Sequence, residues 1–144
     1  MLNLVNTQDA IIAVLRAGLN IPVHEQAIPD ALTVKKVNGQ VMPYAALQFG
    51  DLQECAGGKT FTGARDYDYE LPINIQVIAA EPEVARKLAS GAVLSTMLGA
   101  TFPWTGEVRK RIRGQMYPIT SSNGATEAYM FPSSWGVVIQ MTEV

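Results

Sequence analysis

Few side chains in this sequence could do covalent or acid–base chemistry. His24 is the only histidine and is followed by Glu25, while Cys55 is the only cysteine. Neighbours in sequence rarely face each other as proton transfer requires, so we interpret His24 and Glu25 as turn or surface residues. Cys55 stands next to Glu54 in a glycine-rich stretch, with no sequence sign of a base that would activate its thiol. We therefore assign no catalytic residue and expect no enzyme activity.

Two further patterns could bind ions. The segment Gly57-Gly58-Lys59-Thr60 is similar to the end of a phosphate-binding loop, but position 53 is Gln53 where that loop needs a glycine. Asp66, Asp68 and Glu70 alternate as ligands of a hard cation could, yet alternating acids on an exposed strand are more often simply solvated. One histidine and one cysteine are also too few for a zinc site. The sequence predicts no metal and no cofactor.

The densest charge in the chain is the run Arg109, Lys110, Arg111 and Arg113, which holds four of the eleven basic residues. Because side chains alternate along a strand, Arg109, Arg111 and Arg113 are predicted to share one face. That face could meet an acidic partner surface or DNA passing nearby. The alternative is an edge strand that its charges protect from aggregation. A net charge of −2 argues against a general nucleic-acid binder.

The composition indicates one domain, spanning residues 1–144, with a surface that other protein partly covers. Hydrophobic residues make up 48% of the chain, and charged residues only 17%, below the roughly 25% of ordinary soluble domains. No apolar run approaches the roughly 20 residues that a bilayer span requires. The N-terminal residues lack the basic and apolar regions of a secretory signal. We expect synthesis in the cytoplasm and no membrane contact.

The first third of the chain mixes one helix with short strands. Apolar residues at helical spacing predict a helix over residues 7–17, which Asn6 or Thr7 could cap. The dipeptide Asn38-Gly39 predicts a hairpin between residues 34–37 and 40–42. A strand that begins with a proline follows over residues 43–49.

Residues 51–68 are predicted to form a long exposed loop or ribbon. The stretch holds three glycines among scattered polar residues, and we take Phe61 as its main apolar anchor. Loops of this length in compact domains are usually functional. We therefore name Phe61 and Arg65 as candidate contact residues, together with the basic run.

The rest of the chain predicts a long strand, a helix and further strands. Alternating apolar residues predict a strand over residues 69–79, and Pro82 then begins a helix that ends near Leu98. Strands are predicted over residues 108–113, 127–131 and 135–141. This order favours an α+β fold in which two helices pack on one face of a mixed, mostly antiparallel sheet.

Several of these segments, taken in order, resemble the tail terminator proteins of long-tailed bacteriophages. They are the N-terminal helix, the proline-led strand Pro43-Tyr44-Ala45-Ala46-Leu47, the strand Tyr69-Glu70-Leu71-Pro72-Ile73-Asn74-Ile75-Gln76-Val77, and the helix that follows it as far as Leu98-Gly99. The resemblance covers most of the chain. It lies in the pattern of elements and hydrophobicity.

The resemblance implies a structural virion protein with a tail-terminator-like fold. Such a subunit forms a homohexameric ring in the neck of the tail, caps the tail tube and joins it to the head connector through a head-completion protein. DNA would only pass through the lumen of the ring. The family offers no fixed functional residues to carry onto this sequence. Our own hypothesis is that residues 51–68 and 109–113 are contact surfaces, with Phe61, Arg65, Arg109, Arg111 and Arg113 as candidate assembly contacts.

Two alternatives remain open from the sequence. One is another phage component, either a head–tail joining protein or a subunit of the tail tube or minor tail. The other is a small intracellular enzyme or ligand-binding domain, whose site would have to use His24, Cys55 or the acids Asp66, Asp68 and Glu70.

Overall fold

The computed structural model of the chain describes residues 2–25, 36–37, 40–59, 66–103, 105–112, 115–120, 124 and 126–142. Within these residues two helical regions and nine strands follow each other along the chain. Their order is α1 (Leu2–Leu19), β1 (Val23–Glu25), β2 (Lys36–Val37), β3 (Gln40–Val41), β4 (Tyr44–Phe49), β5 (Gln53–Lys59), β6 (Asp66–Ala79), α2 (Pro82–Lys87), a π-helical segment (Leu88–Val93), α3 (Leu94–Met97), β7 (Arg109–Ile112), β8 (Tyr117–Thr120) and β9 (Thr126–Thr142). The first helical region is α1, and the second runs without a break from Pro82 to Met97.

Seven of the strands form one sheet, and β2 and β3 form a separate hairpin. The order across the sheet is β1, β4, β6, β9 and β7, while β5 also pairs with β6 and β8 also pairs with β9. Strand β1 runs parallel to β4, and the other pairings are antiparallel. The predicted mixed, mostly antiparallel sheet is therefore confirmed.

The two long central strands, β6 and β9, each pair with two shorter strands on their outer side. Strands β6 and β9 pair with each other from Asp66 opposite Thr142 to Ala79 opposite Tyr129. Pro72 lies on β6 where the outer partner changes from β4 to β5. Pro132 lies on β9 where the outer partner changes from β8 to β7. Proline has no backbone N–H to donate to a neighbouring strand. Both long strands therefore have their proline at the gap between the two short partners, where no such hydrogen bond is required.

Both helical regions pack on one face of the sheet, as predicted. Alternate residues of β6, from Leu71 to Val77, are at most 1% exposed and belong to one buried cluster. The same cluster includes residues of β4 and β9, of α1, and of the second helical region. They are Ala45, Leu47, Trp135, Val137, Ile11, Ile12, Leu15, Leu19, Ala89, Val93 and Met97.

No described helix covers the opposite face, which we name the open face. Pro72, Asn74 and Gln76 of β6 lie there half-buried, and Val138 of β9 is exposed. One end of this face is closed by a second, smaller buried cluster, formed by Tyr44, Ile78 and Ala128. Strand β3 of the hairpin contacts β9.

Helix α1 begins earlier than the sequence predicts. It starts at Leu2 because Leu4 packs against the core, which adds one more turn to the amphipathic pattern. Thr7 is therefore not a cap. Its side chain is 1% exposed and its hydroxyl donates to the Pro103 carbonyl at 3.2 Å, which ties α1 to the segment that leads into β7.

The second helical region confirms the predicted limits but contains an unpredicted π-helical segment. It begins at Pro82, and the chain leaves it at Leu98 and Gly99, whose φ of +74° suits a glycine. Helix α1 approaches it closely at Gly18. A Cβ on Gly18 would lie 2.5 Å from Oγ1 of Thr96, so the contact requires a residue without a side chain.

The strands differ from the prediction in several places. Of the loop or ribbon predicted over residues 51–68, the described part is a ribbon, because β5 pairs with β6. Its glycines fall where the register shifts between Glu54 and Lys59. Strand β9 is continuous where two strands were expected, since β6 pairs with it without a break from Tyr129 to Thr142. Strand β8 was not predicted. The hairpin is confirmed for Lys36–Val37 and Gln40–Val41.

Candidate functional site

The basic run lies at one edge of the sheet. Strand β7 pairs with β9 and with no other described strand, and both Arg109 and Lys110 are exposed. We name Arg109 and Lys110 the basic edge. The location fits the second interpretation of the run, a charged edge strand protected from aggregation. It also fits the first, since an exposed charged edge can bind an acidic partner.

The alternation predicted along the basic run is interrupted. Arg109 pairs with Gly136 and Lys110 with Trp135, but Ile112 pairs with Ser134, so the register shifts by one residue at Arg111. An extra residue of this kind is a β-bulge, which bends the strand and breaks the period of two. The prediction that Arg109, Arg111 and Arg113 share one face assumed an unbroken period of two, and the bulge removes that period. Arg113 lies outside the described residues.

Lys110 rests on a fixed aromatic platform. Its Nζ lies 5.8 Å from the ring centroid of Trp135, which is itself 1% exposed. The indole Nε1–H donates to Oγ of Ser133 at 2.9 Å, and that hydroxyl donates to the Ile75 carbonyl at 3.2 Å. Two hydrogen bonds thus hold the ring. A cation over such a ring is worth about 0.5–1 kcal/mol at an exposed site, so the Lys110 ammonium is held at the edge.

The segment after α3 positions the basic edge. The backbone N–H of Gly99 donates to the Val108 carbonyl at 3.0 Å, and the N–H of Val108 donates back to the Ala100 carbonyl at 2.8 Å. Val108 is fully buried, and Gly106 donates to the Val138 carbonyl at 3.0 Å. The end of the helical layer and the start of β7 are therefore one packed unit.

The residues considered for catalysis are not brought together as a reactive pair. The His24 ring meets the Tyr44 ring edge-on, with centroids 5.8 Å apart, and burial raises the pKa of the Tyr44 hydroxyl above its ordinary value. His24 and Glu25 are consecutive on β1, so their side chains point to opposite sides. Cys55 lies on β5, away from β1 in the sheet order.

Of the other residues considered for binding or contact, some are located on a strand and others lie outside the described residues. Asp66, Asp68 and Glu70 follow one another on the first part of β6. Among the described residues, no three His, Cys, Asp or Glu side chains are grouped so that they could hold a metal ion. In the same part of the chain, no helix has the length and apolarity to cross a membrane. Phe61 and Arg65 lie outside the described residues.

Sequence reasoning missed two features of this surface. One is the platform under Lys110, since the pairing of β7 with β9 joins residues that are far apart in the sequence. The other is that β1 ends the order of the described strands on the opposite side of the sheet. Comparison of the sequence with models of known protein families and with curated proteins found no match in either case.

Proposed function

We propose that this protein is a structural subunit of a bacteriophage virion, a tail terminator that forms a hexameric ring. On this proposal the ring sits in the neck, caps the tail tube and joins it to the head connector through the head-completion protein. DNA would pass through the lumen, and the chain would act by assembly and not by catalysis.

The observation that carries the proposal is that, within the described part of the sheet, β1 and β7 end the strand order on opposite sides and differ in construction. Among the described strands, β1 is a three-residue edge that is parallel to its neighbour, while β7 is a bulged, basic edge on the other side. Unlike surfaces on opposite sides of a subunit favour head-to-tail contacts, and such contacts generate a closed ring when the rotation between copies closes.

The elements on which the resemblance rests also support the proposal. Helix α1, strand β4, and strand β6 followed directly by the second helical region occur in the expected order. Arg109 and Lys110 are exposed, as contact residues must be. The ribbon of β5 and β6 offers a second surface that could reach a neighbour or the tube.

Native mass spectrometry with negative-stain imaging tests this function. We expect the purified chain to form six-membered rings, either in solution or when it is added to tail tubes made of the tail tube protein. Rings that bind one end of such tubes would support the proposal. A chain that stays monomeric at high concentration and binds no tube would overturn it.

A further inference from the structure

Two exposed carboxylates lie on the side of the sheet opposite the basic edge, where the Arg16 guanidinium also donates to the Val23 carbonyl at 3.4 Å. Glu25 is the last residue of β1, and Asp51 follows the end of β4 after one residue. Both are exposed, and we name them the acidic edge. The two edges are separated by the width of the sheet, so each is available to a different neighbour.

The two edges lie at the same level of the sheet. One row of paired residues crosses the strands in the order Lys110, Trp135, Ile73 and Phe49. The next row runs through Arg109, Gly136 and Pro72, and the N–H of Gly50 donates to the Pro72 carbonyl at 2.9 Å. Asp51 follows Gly50 directly. At about 4.8 Å per strand, roughly 14 Å separates β7 from β4 along these rows.

Three of these four charges make no ion pair within the described part of the chain, and Lys110 contacts only the Trp135 ring. Arg109, Asp51 and Glu25 take part in no ion pair there, whereas Lys87 is engaged by Glu83 at 2.9 Å. Glu107 is also exposed near β7, but three consecutive cations follow it closely. Burial of unlike charges against one another selects the partner and the register of an interface.

We propose that the basic edge of one copy meets the acidic edge of the next copy, with Arg109 and Lys110 facing Asp51 and Glu25. This inference rests on the proposed ring, because it names the surfaces through which neighbouring subunits recognise each other. The contact is between side chains: a four-residue, bulged β7 is a poor template for a continued strand ladder.

Complementary charge reversals test the pairing. The first variant carries Arg109→Glu and Lys110→Glu, and the second carries Glu25→Lys and Asp51→Lys. Each alone should self-associate about tenfold more weakly than the wild type at low salt, since like charges then face each other. A one-to-one mixture should regain assembly with strictly alternating subunits, because every junction is then complementary. Native mass spectrometry counts each subunit type in the assembly.

The control variant carries Arg86→Glu and Lys87→Glu, which changes the net charge as much as the first variant but on an exposed turn of α2. It should assemble like the wild type, and circular dichroism should show that every variant is folded. Recovery in the mixture also excludes misfolding as the cause of a loss.

Three results would overturn the pairing while leaving the proposed ring intact. They are wild-type assembly of both variants, a loss that the mixture does not repair, and a basic-edge variant that forms rings but no longer retains DNA in a filter-binding assay. The last result would make DNA the partner of the basic edge. Failure of the wild type to form rings in solution and on tubes would instead overturn the proposed function.

Discussion

The helix-covered face and the open face of the same sheet differ in what their residues do. On β6, Ile73 and Ile75 are at most 1% exposed beneath the helices, whereas Asn74 and Gln76 between them are half-buried. Neighbouring residues thus alternate between holding the fold together and remaining open to contact. The larger buried cluster lies on one face, so positions of the other face outside its small cluster can vary with limited cost to folding.

The largest expected effect comes from a cavity on the covered face. Ile73→Ala should lower the free energy of unfolding by about 2–5 kcal/mol, because the fully buried side chain leaves a hole that the helices cannot close. Asn74→Ala, on the open face of the same strand, should change it by less than about 0.5 kcal/mol. Urea unfolding measures both, and equal losses would erase the distinction between the faces.

A smaller effect should follow from the hydroxyl beneath Trp135. Ser133→Ala leaves the buried indole N–H without its acceptor, which should cost about 1–3 kcal/mol of stability. Ser134→Ala is the matched control, since that residue is half-buried on the open face. Thermal and urea unfolding report both changes. A neutral Ser133→Ala would mean that the indole N–H finds another acceptor.

The helical layer allows the comparison to be repeated with glycines. Gly18→Ala brings a Cβ against Thr96 and should destabilise the protein by about 1–3 kcal/mol. Gly91→Ala, where a Cβ meets nothing within 4 Å, should stabilise it by about 0.4–1 kcal/mol. Opposite signs in urea unfolding are the expected result. The variant Gly18→Ala/Thr96→Ala should recover part of the loss.

The smallest effect concerns the exposed side of α2. The Lys87 ammonium, which hydrogen-bonds the Glu83 carboxylate, lowers the pKa of that carboxyl. A depressed pKa stabilises the fold above the pKa of the unfolded chain, and this contribution is lost as the pH falls through the lower folded value. Carbon-detected NMR titration should show the depression, and Lys87→Ala should return the pKa towards its ordinary value. An unchanged titration would contradict this pair.

The sequence predicted elements whose pattern is local and failed where pairing partners decide the structure. The strand around Ile73 and the helix after Pro82 follow from alternation and capping signals within a dozen residues. Strand β5 contains glycines that predict a loop, and it is a strand only because β6 extends far enough to pair with it. The continuity of β9 through Pro132 has the same cause.

The candidate site was predicted by its charges and not by its geometry. Sequence reasoning selected the run that begins at Arg109, and the structure puts the described part of that run at an exposed edge. It could not foresee the bulge at Arg111, because a register shift depends on the partner strand. Nor could it relate Asp51 to Arg109, since only the pairing of four strands brings them to one level.

Pro72 and Pro132 each divide the outer edge of a long strand into two separate pairing segments. If one short strand detaches, only its own hydrogen bonds are lost, because the ladder is already interrupted at the proline. Peripheral pieces of the subunit can thus be lengthened, shortened or replaced one at a time during evolution, while the central strand pair and its helical cover keep their register.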